Sequence, residues 1–212
     1  DIPCRPISLF KGHTIQTGSW KPQAVFSSSG TTATKTSKHL LRSKVFYQES
    51  ARRSFQTFYG PLKDYCVLAL LPSYLERTGS SLVFMAEDFI RQSEHPDSGF
   101  FLYNTEALLQ ILQKCQKSGQ PTLLIGVSFA LLDLAEAHPA DLSGITIMET
   151  GGMKGRRREL TRAELHEKLQ QAFGVETVHS EYGMTELLSQ AYSKGAGLFH
   201  AAPAMRVLAR EV

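Results

Sequence analysis

Cys66–Leu71 is an unbroken run of six apolar residues closed by Pro72. It limits what the chain can fold into more than any other segment. Such a run lacks the two-residue alternation of a half-exposed strand and fits a strand covered on both faces. Strands of that kind sit in parallel sheets with helices on each side. The rest of the chain keeps to this plan. Ser50–Tyr59, carrying Arg52 and Arg53, and Gly79–Gln92 read as helices. Phe100–Tyr103 reads as a short strand, and Thr105–Lys117 as a helix with Leu108, Ile111, Leu112 and Cys115 on one stripe. Thr122–Gly126 (strand), Phe129–Ala137 (helix) and Ile145–Met148 (strand) continue the alternation. Thr161 and Glu164 fit a capping box opening a helix over Ala163–Phe173, and Val175–Val178 reads as the next strand. Asp1–Lys21 reads as irregular or short strands, and Gln190–Val212 as strand-like with glycine breaks. Strands alternating with helices predict an α/β fold with a mostly parallel sheet flanked by helices.

Composition narrows the function. Of 212 residues, 42% are hydrophobic and 20% charged, values of a globular chain with its own core. Twenty-three Lys and Arg against 20 Asp and Glu leave a net charge of +3, too small to signal a nucleic-acid binder. No apolar run approaches the ~20 residues of a membrane span, and no signal peptide is visible, so a soluble cytoplasmic protein is expected. Cys4, Cys66 and Cys115 form no C-x-x-C pair, which argues against a disulfide framework or zinc ribbon. Cys66, in the buried run, and Cys115, on the helix stripe, read as core packing. The histidines show no metal-ligand spacing.

Three segments carry chemistry. Ser27–Lys38 is a hydroxyl-rich loop after the apolar pair Val25-Phe26. Its small residues let backbone N–H groups and hydroxyls converge on phosphate oxygens, although it is no Walker loop and a plain surface loop is equally compatible. Met148–Gly155 places Gly151 and Gly152 straight after a predicted strand, where a planar base could approach the backbone; a simple turn is the alternative. The adjacent Arg156-Arg157-Arg158 reads as a solvated face. His179–Glu186 follows another predicted strand and gathers an aromatic ring, a hydroxyl and two carboxylates; a helix N-terminus with dipole-complementing acids would look the same.

In this order the three segments resemble the adenylate-forming (acyl-activating) superfamily: a phosphate loop, an adenine-flanking glycine turn, and Tyr182-Gly183-Met184-Thr185-Glu186 as its Y-G-x-T-E motif. Phe26–Thr32, Glu149–Gly155 with Thr161-Arg162-Ala163-Glu164-Leu165, and Glu181–Glu186 are most similar to LuxE-type acyl-protein synthetases, next to phenylacetate–CoA ligases. The resemblance implies a two-step reaction. A carboxylic acid, expected to be fatty, attacks the α-phosphate of ATP, and the acyl group passes to a thiol, either a protein cysteine or coenzyme A. It implies that Ser28, Ser29, Gly30, Thr31, Thr32 and Lys35 border the β- and γ-phosphates. Gly151 and Gly152 would lie along the adenine, Tyr182 would stack on it, Thr185 would touch the α-phosphate, and Glu186 would hold Mg²⁺. Ala33 and Thr34 depart from the superfamily's usual loop. The family continues into a small mobile C-terminal domain, so residues 1–212 are expected to be a partial adenylation domain without it. An oligomer with reductase or transferase partners is also implied.

Two other readings compete. Gly126-Val127-Ser128-Phe129-Ala130 approaches the G-x-S-x-G elbow of serine hydrolases, with Asp133 or Asp141 and then His166, His179 or His200 downstream; its last glycine is replaced by Ala130, and Ser128 also suits a helix N-cap. A non-catalytic nucleotide-binding homologue is the third.

Overall fold

The computed structural model describes residues 6–28, 36–71, 79–153 and 158–209. A one-turn helix α1 (Leu9–Gly12) stands where irregular chain or strand was expected. Strands β1 (Ala24–Ser27) and β2 (Lys38–Leu41) then pair antiparallel as a separate two-stranded sheet. Helix α2 (Lys44–Tyr59) starts at Lys44 rather than Ser50, because the Ser43 hydroxyl caps it by accepting from the Phe46 N–H at 3.2 Å. Phe26 of β1 packs against Tyr47 of α2 (centroids 5.0 Å apart) and Phe84 (5.6 Å), which seats the hairpin on the body.

Strand β3 (Cys66–Leu70) is buried at every position, as the apolar run requires. Helix α3 (Ser81–Ser93), capped by Ser80, leads to β4, which spans only Gly99–Phe100. Helix α4 (Thr105–Ser118) is capped by Asn104 and closed by Gly119 at φ 69°. Strand β5 (Thr122–Val127), buried throughout, runs directly into α5 (Ser128–Ala137). Strand β6 (Thr146–Thr150) and α6 (Arg162–Phe173) follow, and both bonds of the Thr161–Glu164 capping box are present. The next strand, β7, is His179–Tyr182 and not Val175–Val178. Val175 and Val178 are buried, but as plugs in the connection, while β7 pairs through polar residues. Short strands β8 (Ala191–Ser193) and β9 (His200–Ala201) follow.

The main sheet has the order β4-β3-β5-β6-β7-β8-β9. Its first five strands are parallel, and β8 is antiparallel to both neighbours. With the right-handed crossovers that parallel strands adopt, this strand order puts α4, α5 and α6 on one face and α3 on the other. Helix α2 lies with α3: Phe55 packs on Phe89 of α3 at 5.1 Å and on Tyr192 of β8 at 6.1 Å. Among the described residues no helix is long and apolar enough to cross a membrane.

Candidate functional site

Strands β6 and β7 are parallel neighbours, with Glu149 opposite Ser180 and Thr150 opposite Glu181. The glycine pair and the Tyr182–Glu186 stretch therefore leave the sheet side by side, at the strand carboxyl ends where α/β sheets bind ligands. The sheet's topological switch point lies elsewhere, between β3 and β5. Gly151 adopts φ 73°, in the left-handed region, so the turn itself favours glycine there. Gly152 is different: a Cβ would meet nothing within 4 Å, so packing does not demand glycine and space above the backbone is open. Tyr182 is 43% exposed. Its hydroxyl donates to Met184 Sδ at 3.0 Å, and its ring meets Phe199 edge-on at 6.1 Å.

Thr185 and Glu186 form a turn after β7 rather than a helix. His39 Nδ1 lies 2.9 Å from the Thr185 carbonyl oxygen, tying β2 to this turn. The hairpin connection thus starts near the site. Ser28 closes its base: its N–H donates to the Ser37 carbonyl at 3.0 Å, and its hydroxyl accepts from the Ser37 N–H at 2.8 Å. Ser27 and Lys38, expected inside the loop, are paired strand residues. Ser29, Gly30, Thr31, Thr32 and Lys35 lie outside the described residues, as do Gly155, Arg156 and Arg157.

Two buried carboxylates back the site. Glu149 is 3% exposed. It accepts from Ser128 Oγ at 3.1 Å and Arg162 Nε at 2.9 Å, with His166 Nε2 at 3.7 Å. Burial pushes its carboxyl up, but hydrogen bonds from His166, Ser180 and Arg162, with the Arg162 charge, hold it below the usual carboxylate range. Glu181 is also buried and accepts from Thr150 Oγ1 at 2.5 Å. Burial pushes it up to about 7; the Thr150 bond opposes this and the nearby Glu149 charge adds to it. Glu181 also explains the glycine after Tyr182, since a Cβ on Gly183 would fall 2.5 Å from Glu181 Oε1.

The serine-hydrolase reading does not survive this geometry. Ser128 is 3% exposed and is bonded to Glu149, with no imidazole as base. Its φ is not in the left-handed region, so the strained elbow is absent. The imidazole near the cluster, His166, meets Ser180 at 3.3 Å, and Ser180 is fully buried. Cys66 and Cys115 are buried free thiols, and burial pushes Cys66 up to about 12, which argues against Cys66 as a nucleophile.

No described group of three or more His, Cys, Asp or Glu could cage a metal ion. Glu186 forms no hydrogen bond or ion pair with any described residue. A half-buried carboxylate of this kind is chemically suited to Mg²⁺, an oxygen-seeking ion that keeps several of its waters.

Sequence reasoning missed the roles of Arg162 and Phe199 behind the site, and named His166 only as a candidate hydrolase histidine. Arg162 lies in the Thr161–Leu165 stretch of the resemblance, but its role rests on a contact to Glu149 that no local pattern shows. Beside it, a cavity of about 370 Å³ runs along α6, lined by Arg162, His166, Gln170 and residues 195–197.

No family model matches the chain, and no curated protein matches it. Solved structures overlap with it in part, among them two forms of one enzyme. Coronafacic acid ligase from Pectobacterium brasiliense is 18% identical over 71% of this chain and 28% of its own, with a TM-score of 0.46. A mutant form of the same enzyme is 18% identical over 70% of this chain and 28% of its own, with a TM-score of 0.45. The chain spans 28% of the length of these structures.

Proposed function

We propose that this chain is the nucleotide-binding part of an ATP-dependent carboxylic acid ligase, of the acyl-protein synthetase kind. One observation supports this reading above the rest: Gly151-Gly152 and Tyr182–Glu186 emerge from adjacent parallel strands, with Thr185 tied through His39 to the hairpin of the hydroxyl-rich loop. Adenine would lie over the open backbone at Gly152 and against the exposed Tyr182 ring. The Thr185 hydroxyl would donate to an α-phosphate oxygen. Ser28, Ser29, Gly30, Thr31, Thr32 and Lys35 would border the outer phosphates, and Glu186 would hold Mg²⁺. When bound, the metal neutralises phosphate charge. A carboxylate oxygen attacks the α-phosphorus, the bond to the β-phosphate breaks, and pyrophosphate leaves. A thiolate then attacks the acyl carbon and AMP leaves. With Cys66 and Cys115 buried, that thiol comes from another cysteine or from coenzyme A. Positioning and charge neutralisation carry such a first step.

Calorimetry with MgATP and AMP tests the reading. Binding tighter than about 1 mM, roughly 4 kcal/mol, is expected; a folded sample that binds neither rejects it. Glu186→Gln should weaken MgATP about tenfold and AMP less than twofold, at an unchanged melting temperature. Equal loss of both ligands with a lowered melting temperature would make Glu186 structural.

A further inference from the structure

Four side chains form a continuous chain of contacts across the mouth of the site. Glu149, on β6 shortly before the glycine pair, accepts from Arg162 Nε at 2.9 Å. The Arg162 guanidinium carbon sits 4.8 Å from the centre of the Phe199 ring. Phe199 meets Tyr182, at the end of β7, at 6.1 Å with planes 71° apart. Phe199 reaches this place because the chain reverses after β8 through Gly195, Ala196 and Gly197, with φ of 139°, 53° and 67°. The two walls of the candidate adenine slot are thereby joined through one arginine and one phenylalanine.

We infer that Phe199, backed by Arg162, positions the Tyr182 ring for the adenine base; this rests on the nucleotide reading above. A ring 43% exposed would otherwise sample several rotamers, each paid for on binding. The edge-on contact with Phe199 and the hydroxyl bond to Met184 restrict it from two sides. Edge-to-face rings and a cation over an aromatic face are favourable geometries. Glu149 fixes the guanidinium, so Phe199 is held from behind as it holds Tyr182. None of these contacts involves Ser28, Thr185 or Glu186. The effect therefore falls on the base and not on the phosphates.

The test compares Phe199→Leu with wild type in two measurements. The first needs no nucleotide: 3-fluorotyrosine in place of Tyr182 is followed by ¹⁹F NMR in the free protein. The second is calorimetry with MgATP and with magnesium tripolyphosphate, which lacks the base. The variant should shift the fluorine resonance and weaken MgATP about tenfold, with tripolyphosphate changed less than twofold. Phe199→Tyr, which keeps the ring, should restore both readouts. An unmoved resonance overturns the inference. Equal loss of MgATP and tripolyphosphate also overturns it, because that is the signature of general damage to the fold. A shifted resonance in a protein whose wild type binds neither ligand would support the hold on Tyr182 while rejecting the nucleotide reading.

Discussion

Glu149 and Glu181 stand one residue out of step on adjacent strands, at the same end of the sheet, and their side chains go to opposite faces. Glu149 points toward α5 and α6. There it finds a serine hydroxyl, a guanidinium and a histidine. Glu181 points toward α2, opposite Tyr192 in the antiparallel register. It finds one threonine hydroxyl, and among the described residues the neighbourhood is short of hydrogen bonds: Tyr192 Oη and Gln190 Oε1 are buried there without a partner. Both carboxyl groups are buried, yet one is held ionised on its face and the other is pushed toward its neutral form. Burial raises both, and only on the α5–α6 face are there partners enough to outweigh it.

The largest effect should come from the saturated face. Glu149→Ala strips Ser128 and Arg162 of their acceptor inside the fold, a loss of about 3–4 kcal/mol. For a chain of this size that lowers Tm by roughly 6–15 °C, read by thermal melting at pH 7. A fall of only a degree or two would show that Glu149 is replaceable and break the contrast.

Next comes the pH dependence of Glu181. In the folded protein its carboxyl keeps a proton up to about pH 7, whereas in the unfolded chain it loses it near pH 4.3. Across that window the folded state binds more protons, so rising pH costs stability by up to about 1.4 kcal/mol per unit. Glu181→Gln removes this penalty. The variant should gain on wild type from pH 4.5 to 7, reaching up to about 3–4 kcal/mol at pH 8, measured by urea unfolding at a series of pH values. Glu149 has the opposite sign: its contribution is present above pH 4.3 and is lost as the medium turns acid. Parallel curves for wild type and Glu181→Gln would erase the difference between the two acids.

A smaller cost, about 1–3 kcal/mol, is expected for Gly183→Ala, whose new methyl would press on Glu181 Oε1. In a Glu181→Ala background that cost should fall by more than half, and a cycle without coupling would sever Gly183 from Glu181. The smallest is Ser128→Ala, about 1–2 kcal/mol, which should vanish in a Glu149→Ala background. An unchanged cost there would locate the Ser128 contribution outside its bond to Glu149.

The same contrast explains what was legible in the sequence. Strands β3 and β5 are buried on both faces by apolar residues, so contiguous runs announce them. The Thr161–Glu164 capping box is local and was equally plain. Strand β7 buries Ser180 and Glu181 instead. Those residues are tolerated inside because His166 and Thr150, far off in sequence, satisfy them, so an apolar criterion slid the strand back onto Val175 and Val178. Strand β2 begins with a charged lysine and a histidine and merges into the polar loop before it. At the site, Gly151, Gly152, Tyr182, Thr185 and Glu186 belong to short patterns and could be named. Phe199 belongs to none, and Arg162 lies in one without its role being readable there, because both roles exist only once β6, α6 and the turn after β8 are assembled.

Both outer strands of the main sheet, Gly99–Phe100 and His200–Ala201, are only two residues long. A sheet border this brief offers a passing chain almost no ladder of unpaired amides to extend, and short edges are a recognised guard against edge-to-edge growth. The long apolar strands β3 and β5 that would make the best fibril seeds each have a neighbour on both sides. In concentrated solution the folded protein should therefore resist seeding by strand addition along either border, and fibril growth should require that the interior strands first come apart.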